Sequence, residues 1–443
     1  MAKVALTQRI NTQAAIFLVI YEMNIDIAGV SNGRRSVALQ DSTLMSCGCR
    51  VENGWQNTAY HTKIMRPLDR IRIEGFKSIK QLDLKLENLN VLIGANGAGK
   101  SNFISIFKLL NEMAELRLQL FVGSKADRFL RHGRRVTPKL SVKLNFGSNG
   151  YAFALVPSEN QLIFESETIS FDGDYGVSNR PIGAGHLESK LPEQLSNEYN
   201  RKIAGYVVPS VKGWRVYHFH DTSDQSSMKQ SGAINANDSL NPDASNLAAF
   251  LYLLQQKYPQ SYQRIRDTVR LVAPFFDDFV LRPDPLSKNL QDIMLEWREV
   301  GSNFPFTAYQ LSDGTLRFIC LAVVLLQPTP PATIIIDEPE LGLHPYAIEI
   351  LAGLLRSVSL KRQIIVSTQS VPLVNQLDVN HLVVVDHASG ESTFSRPDSE
   401  ALANWLDDYS LGELWEKNIL GGRPSAPPAP PSKEPQNPMK YTA

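Results

Sequence analysis

Residues Leu92 to Ser101 read Leu-Ile-Gly-Ala-Asn-Gly-Ala-Gly-Lys-Ser, and this stretch decides the fold. It fits G-x-x-x-x-G-K-[ST], with Gly94, Gly99, Lys100 and Ser101 at the fixed places. Glycines let the backbone turn so sharply that successive N–H groups point inward at phosphate oxygens. Ala95, Asn96, Gly97 and Ala98 complete that cradle, and Asn102 follows it in the next helix. Lys100 reaches the outer phosphates, and the Ser101 hydroxyl is a ligand for Mg²⁺. The helix N-terminus adds positive potential at the same spot. Leu89 to Ile93 reads as a short buried strand, and Ser101 to Leu110 carries apolar residues at helical spacing. Strand, loop and helix stand in the required order, which leaves little room for a chance glycine turn.

Outward from the loop, a second constellation lies near the C-terminal side. Ile334-Ile335-Ile336-Asp337-Glu338 suits a strand buried on both faces with carboxylates at its tip. Asp337 is expected to hold Mg²⁺, directly or through water, and Glu338 to orient and deprotonate an attacking water. Glu340 is next in line for that role. Pro339 restricts Glu338, and extended geometry is expected there. Ser312-Asp313-Gly314 opens an apolar helix that runs through Leu326; alone it would read as an N-cap. Gln363 to Ser367 reads as another core strand, followed by Thr368 and Gln369, and Leu382 to Val385 as the last strand of the sheet.

With Ser312-Asp313-Gly314 starting the helix before the Asp337 strand, the sequence resembles the ATP-binding-cassette ATPases, whose LSGGQ-like signature occupies that place. Asp-Glu-Pro-Glu-Leu-Gly-Leu-His-Pro (Asp337 to Pro345), Phe76-Lys77-Ser78-Ile79 and Leu-Ser-Asp-Gly-Thr-Leu-Arg-Phe (Leu311 to Phe318) narrow the likeness to the RecF, SMC and OLD-type branch. It is most similar to the predicted bacterial AAA-type ATPases. The likeness covers about 67–119 and 308–386 well and the middle loosely. It implies an α/β P-loop NTPase head with a mixed sheet, an antiparallel β lobe and an inserted α+β subdomain. It also implies ATP and Mg²⁺ as cofactors, and a head-to-tail homodimer in which each γ-phosphate meets Gly94 to Ser101 of one subunit and Ser312 and Gly314 of the other. Lys77 would add a phosphate contact. Two positions depart from the family pattern. Asp313 puts a negative charge where glycine is usual, and Gln369 stands in the place of the switch histidine; glutamine hydrogen-bonds but carries no positive charge. Slow hydrolysis is therefore expected, with Glu338, Lys100 and Gln369 as its catalytic groups. The nearest place for the family's Q-loop is the loop after Trp214 to Asp221.

Composition adds bounds. Hydrophobic content of 43% and charged content of 20% describe an ordinary globular protein, and 45 basic against 45 acidic residues favour no partner by global charge. The three cysteines, Cys47, Cys49 and Cys320, form no disulfide framework or zinc spacing, so a reducing cytoplasm is the natural compartment. Ala14 to Tyr21 is apolar but too short to span a bilayer, so no membrane role is expected. Residues 1–64 read as an extension, or as a start-site artefact upstream of Met65. Residues 65–420 are expected to form the ATPase domain, interrupted by a lobe at about 125–300, and 421–443 a disordered Pro-rich tail.

Within the lobe, Leu140 to Phe146, Tyr151 to Val156 and Leu162 to Phe171 read as antiparallel strands, and Trp214 to His220 as another. Asp221 to Asp243 reads as a mobile loop. On a strand, His218 and His220 would face opposite sides and serve as structural histidines. Arg128, Arg131, His132, Arg134 and Arg135 fit either DNA phosphates or a solvated basic face. The lobe lacks sustained heptads, and no acidic Toprim set follows Gln369, which argues against an SMC-like arm and against intrinsic nuclease activity. Its length argues against a transporter ATPase, and the signature against a hexameric motor. The function expected is ATP-dependent dimerisation gating a DNA-related task, repair or anti-phage defence, alongside a separate effector or nuclease. The alternative is an ATP-dependent scaffold for a partner protein or toxin, without DNA.

Overall fold

A computed structural model describes residues 67–283 and 291–422, so the readings of the first 64 residues and of the Pro-rich stretch after Gly422 lie outside the described residues. Its centre is a six-stranded sheet. The order is Glu391–Ser395, Leu382–Ala388, Leu89–Ile93, Gln363–Thr368, Thr333–Asp337, Arg215–Tyr217. The last five run parallel, and Glu391–Ser395 closes one edge antiparallel. Leu382–Ala388 is therefore not the last strand. Ser389 (φ 54°) and Gly390 (φ 76°) make a tight turn with two left-handed residues, and the chain doubles back.

Parallel strands need cover on both faces, and the side chains alternate accordingly. Leu89, Val91, Ile93, Ile334, Ile336, Ile364 and Val366 enter one core with helices Asp313–Leu326, Pro345–Ser359, Leu247–Lys257 and Pro259–Val272. Leu92, Ile335, Ile365, Val383 and Val385 enter the other, where helix Lys100–Ala114 is sandwiched against a second sheet.

That second sheet is wholly antiparallel, in the order Ile79–Lys85, Arg70–Phe76, Leu140–Phe146, Asn149–Ser158, Gln161–Gly173, Gly176–Gly183. Two of its strands precede the phosphate loop and four follow it. Segment 125–300 thus completes a sheet begun upstream, and its strand Arg215–Tyr217 joins the central sheet. The edge strand Gly176–Gly183 contains Pro181, which an edge tolerates because an N–H there faces no partner. Residues 221–243, expected to be mobile, are instead packed. Met228 and Leu240 are buried in the first core, the Ser226 hydroxyl donates to the Asp221 carbonyl (2.7 Å), and the Asn246 amide donates to Ala236 and Ser239 carbonyls (2.8 Å each).

Candidate nucleotide site

Strand Gln363–Thr368 lies between the phosphate-loop strand and the acidic strand. In register, Ser367 stands beside both Asp337 and Leu92, and Thr368 beside Ile93. The three strands therefore end level, and Gly94, Glu338 and Gln369 leave the sheet together.

The loop is braced from behind. Gly99 has φ 117°, and a Cβ there would collide with the Ser392 side chain, so only glycine fits. Ser392 itself donates to the Ala98 carbonyl at 2.6 Å. The helix from Lys100 has no side-chain cap and no acidic residue in its first turn, which leaves its N-terminus free for an anion. Lys100 is buried and donates to the carbonyls of Gly94 (2.7 Å) and Ala95 (3.0 Å). Burial pulls its ammonium below the usual lysine range, and Glu338, Asp337 and Glu340 oppose that shift. Asn96, Gly97 and Ser101 are exposed, so the outer face of the loop is open. Lys77 and Asn102 are placed otherwise. The Lys77 amine donates to Ser105 (2.8 Å), one helical turn beyond Ser101, and the Asn102 amide to the Ser78 hydroxyl (2.7 Å). Both tie the Phe76–Ile79 turn to the helix.

Across the site, Asp337 accepts a hydrogen bond from Ser367 Oγ. Glu338 is not extended as expected but left-handed, with φ 46°. Pro339 disfavours the right-handed helical region for its neighbour, while the Glu338 N–H is held by the Ser367 carbonyl (2.9 Å), and the chain turns the other way. The Glu338 carboxylate accepts from Gln369 Nε2. Glu340 is turned inward. Its Oε1 accepts from Thr368 Oγ1 (2.6 Å) and Gln369 N (3.1 Å), its Oε2 has no hydrogen-bond partner among the described residues, and burial pushes its carboxyl pKa up.

The histidines correct the sequence reading. The strand ends at Tyr217, the residue paired with Ile336, so alternation lapses before His218. The two imidazoles then lie with centroids 3.7 Å apart. His218 Nδ1 is 3.7 Å from Asp337 Oδ2, and His220 Nε2 is 3.9 Å from Glu338 Oε2. Partial burial and the neighbouring His220 push His218 below the usual histidine range, against the pull of Asp337. This is the loop expected at the Q-loop place, and it holds histidines beside the acidic strand's tip. Ser367 also escaped the sequence reading, since its neighbours appear only once the strand order is known.

Ser312 caps its helix, accepting from Thr315 N at 3.2 Å, and is exposed with Asp313. A Cβ on Gly314 would strike the Gly342 carbonyl, so glycine lets the helix start pack against the loop after Glu340. Three residues on, Arg317 donates to the carbonyls of Phe219 (2.9 Å), His220 (2.8 Å) and Leu341 (3.1 Å).

Residues 89–375, from the phosphate-loop strand through the region of Gln369, match the family described as "AAA domain, putative AbiEii toxin, Type IV TA system". The chain belongs to that family. The phosphate import ATP-binding protein PstB of Ehrlichia ruminantium, strains Gardel and Welgevonden, is 22% identical over 129 residues, 28% of this chain and 50% of each relative. The chain thus spans about half the length of the curated relatives it matches. In fold, it is similar to an SMC head whose crystal structure has the C-winged helix domain of ScpA bound. Identity there is 15%, with 76% of this chain and 99% of that one covered and a TM-score of 0.52. Family and fold together give the chain an AAA domain built like the ATPase head of SMC proteins, the α/β P-loop head expected from its motifs.

Proposed function

We propose that the chain hydrolyses ATP as a switch: two copies associate head to tail around ATP and Mg²⁺, turnover releases them, and the cycle gates a DNA-related process such as repair or anti-phage defence. The observation that supports this is the convergence of Lys100, Asp337, Glu338 and Gln369 at the level ends of three neighbouring strands. The N–H groups from Gly94 to Ser101 and the open helix N-terminus would hold the phosphates. The Ser101 hydroxyl and Asp337 carboxylate are hard oxygen donors of the kind that suit Mg²⁺ and would hold it. When bound, the ion neutralises charge on the transferred phosphoryl group. Lys100 would exchange its loop carbonyls for phosphate oxygens, Glu338 would take the proton of the attacking water, and Gln369 would hold Glu338 in place. A neutral Gln369 adds no positive charge to the transition state, so turnover should be slow. The exposed Ser312 and its helix would meet the partner's phosphate, with Asp313 working against that approach.

A second reading, an ATP-dependent scaffold for a partner protein without DNA, draws on the basic segment. Arg134 is engaged by Asp127 (2.8 Å) and Arg131 by the Gly390 carbonyl (3.1 Å), so two of its cations serve the fold. A cytoplasmic setting is proposed in either case; among the described residues no helix is long and apolar enough to cross a membrane.

The deciding experiment is the light-scattering mass of Glu338→Gln with and without Mg-ATP. Binding without turnover should double the mass, and a mass indifferent to ATP would remove the dimer switch. Salt-sensitive DNA binding that strengthens with ATP separates the two readings, and absence of binding at low salt leaves the scaffold.

A further inference from the structure

The loop carrying His218 and His220 has no part in the reading above, yet it closes one side of the candidate base. Glu338 is approached from two directions. Gln369 Nε2 donates to its Oε1, and His220 Nε2 stands 3.9 Å from its Oε2. That ring nitrogen is buried and has no hydrogen-bond partner among the described residues. A buried polar atom left unpaired costs on the order of 1–3 kcal/mol, which calls for a partner in the working state. The Glu338 oxygen in front of it can become that partner by a small closure or through one water. The ring is held ready for this. His218 packs against it, tilted by 33° with the centroids 3.7 Å apart, and Arg317 grips the loop through the carbonyls of Phe219 and His220 and the Thr222 hydroxyl (3.1 Å).

We propose that His220 is a positioning residue for Glu338, the second arm of a clamp whose first arm is Gln369, and that Arg317 of the signature helix keeps this arm in place. The inference rests on the hydrolysis reading. A carboxylate held at both oxygens has one orientation, whereas one held at Oε1 alone can rotate away from the attacking water. Displacements of about 1 Å in such groups cost about 100-fold in rate. His218 is not an arm of this clamp, because it faces Asp337 instead.

The test compares His220→Leu, similar in bulk but without a donor, with His220→Gln, which retains one. His220→Leu should lower kcat by about 100-fold while ATP affinity and ATP-dependent doubling of mass persist, and His220→Gln should recover most of the rate. Combining His220→Leu with Gln369→Ala should cost less than the product of the single losses, since both act through one carboxylate. Unchanged kcat in His220→Leu overturns the inference. So does an equal loss in both variants accompanied by weakened ATP binding, which would make the loop merely structural. Glu338→Gln separates the levels. If it turns over normally, or if the unmodified chain has no turnover, the hydrolysis reading falls and takes this inference with it. If it is inactive while His220→Leu is active, only the clamp falls.

Discussion

The two ends of the central sheet are both polar, one buried and the other half-buried, and they differ in how completely that polarity is satisfied. Where the strands begin, Gln363 Oε1 accepts from Leu68 N (3.1 Å) and Thr333 Oγ1 (2.9 Å), and its Nε2 donates to the carbonyls of Leu68 (2.8 Å) and Glu87 (3.2 Å). Asn90 accepts from Glu87 N (2.9 Å) and Arg396 (2.5 Å) and donates to the carbonyls of Glu87 (2.6 Å) and Ile364 (3.4 Å). Every donor and acceptor of both amides is used. Where the strands stop, Glu340 Oε2 and His220 Nε2 have no hydrogen-bond partner among the described residues, Lys100 is folded back on its own loop, and Glu338 is left-handed. A saturated network is a fastening, and an unsaturated one at the carboxyl ends of parallel strands is a site shaped for a ligand.

The largest expected effect falls at the unsaturated end. Lys100→Ala removes the buried cation that would meet the phosphates, and ATP affinity should fall by about 1,000-fold, roughly 4 kcal/mol. Nucleotide titration checks this, and unchanged affinity would remove the phosphate-loop assignment. The contrast is sharpened at the saturated end. Gln363→Leu keeps the volume but leaves the Leu68 and Glu87 backbone groups and the Thr333 hydroxyl without their partner, and should destabilise the fold by about 3 kcal/mol. Urea unfolding reads that loss, while the ATP affinity of the folded protein should hold. A Gln363→Leu chain as stable as its parent, or one that binds ATP poorly when folded, would break the division between the two ends.

How much of this could be read beforehand depends on the range over which each feature is specified. The phosphate loop, its strand and the first turns of its helix are set within 22 consecutive residues, Leu89 to Leu110, and local spacing suffices. The Asp337 strand is legible for the same reason. His218 and His220 depend on where Arg215–Tyr217 stops, which is set by pairing with Ile334 to Ile336, far along the chain. The left-handed turn at Glu338 depends likewise on the Ser367 carbonyl of a neighbouring strand. Strand Gly176–Gly183 carries no apolar alternation because it is an exposed edge. The polar run at 221–243 reads as loop, and its burial rests on Met228 and Leu240 finding a core built elsewhere.

The smallest effect tests the comparison through pH. Glu340 turns its carboxyl inward at the unsaturated end with one buried oxygen unpaired among the described residues, and desolvation raises its pKa above the ordinary 4.5 despite the hydrogen bonds from Thr368 and Gln369. The native state therefore holds this proton to higher pH than the unfolded chain does. Since the native state binds more protons, stability falls as pH rises from 4.5 through the raised value, and levels off beyond it. Glu340→Gln cannot titrate but keeps an acceptor oxygen for Thr368 and Gln369. Its urea midpoint should decline less than that of the parent between pH 4.5 and neutrality, and the difference between the two curves isolates this one carboxyl. Parallel curves would mean that Glu340 is as well satisfied as Gln363 and Asn90, and that the unpaired oxygen does not distinguish the two ends of the sheet.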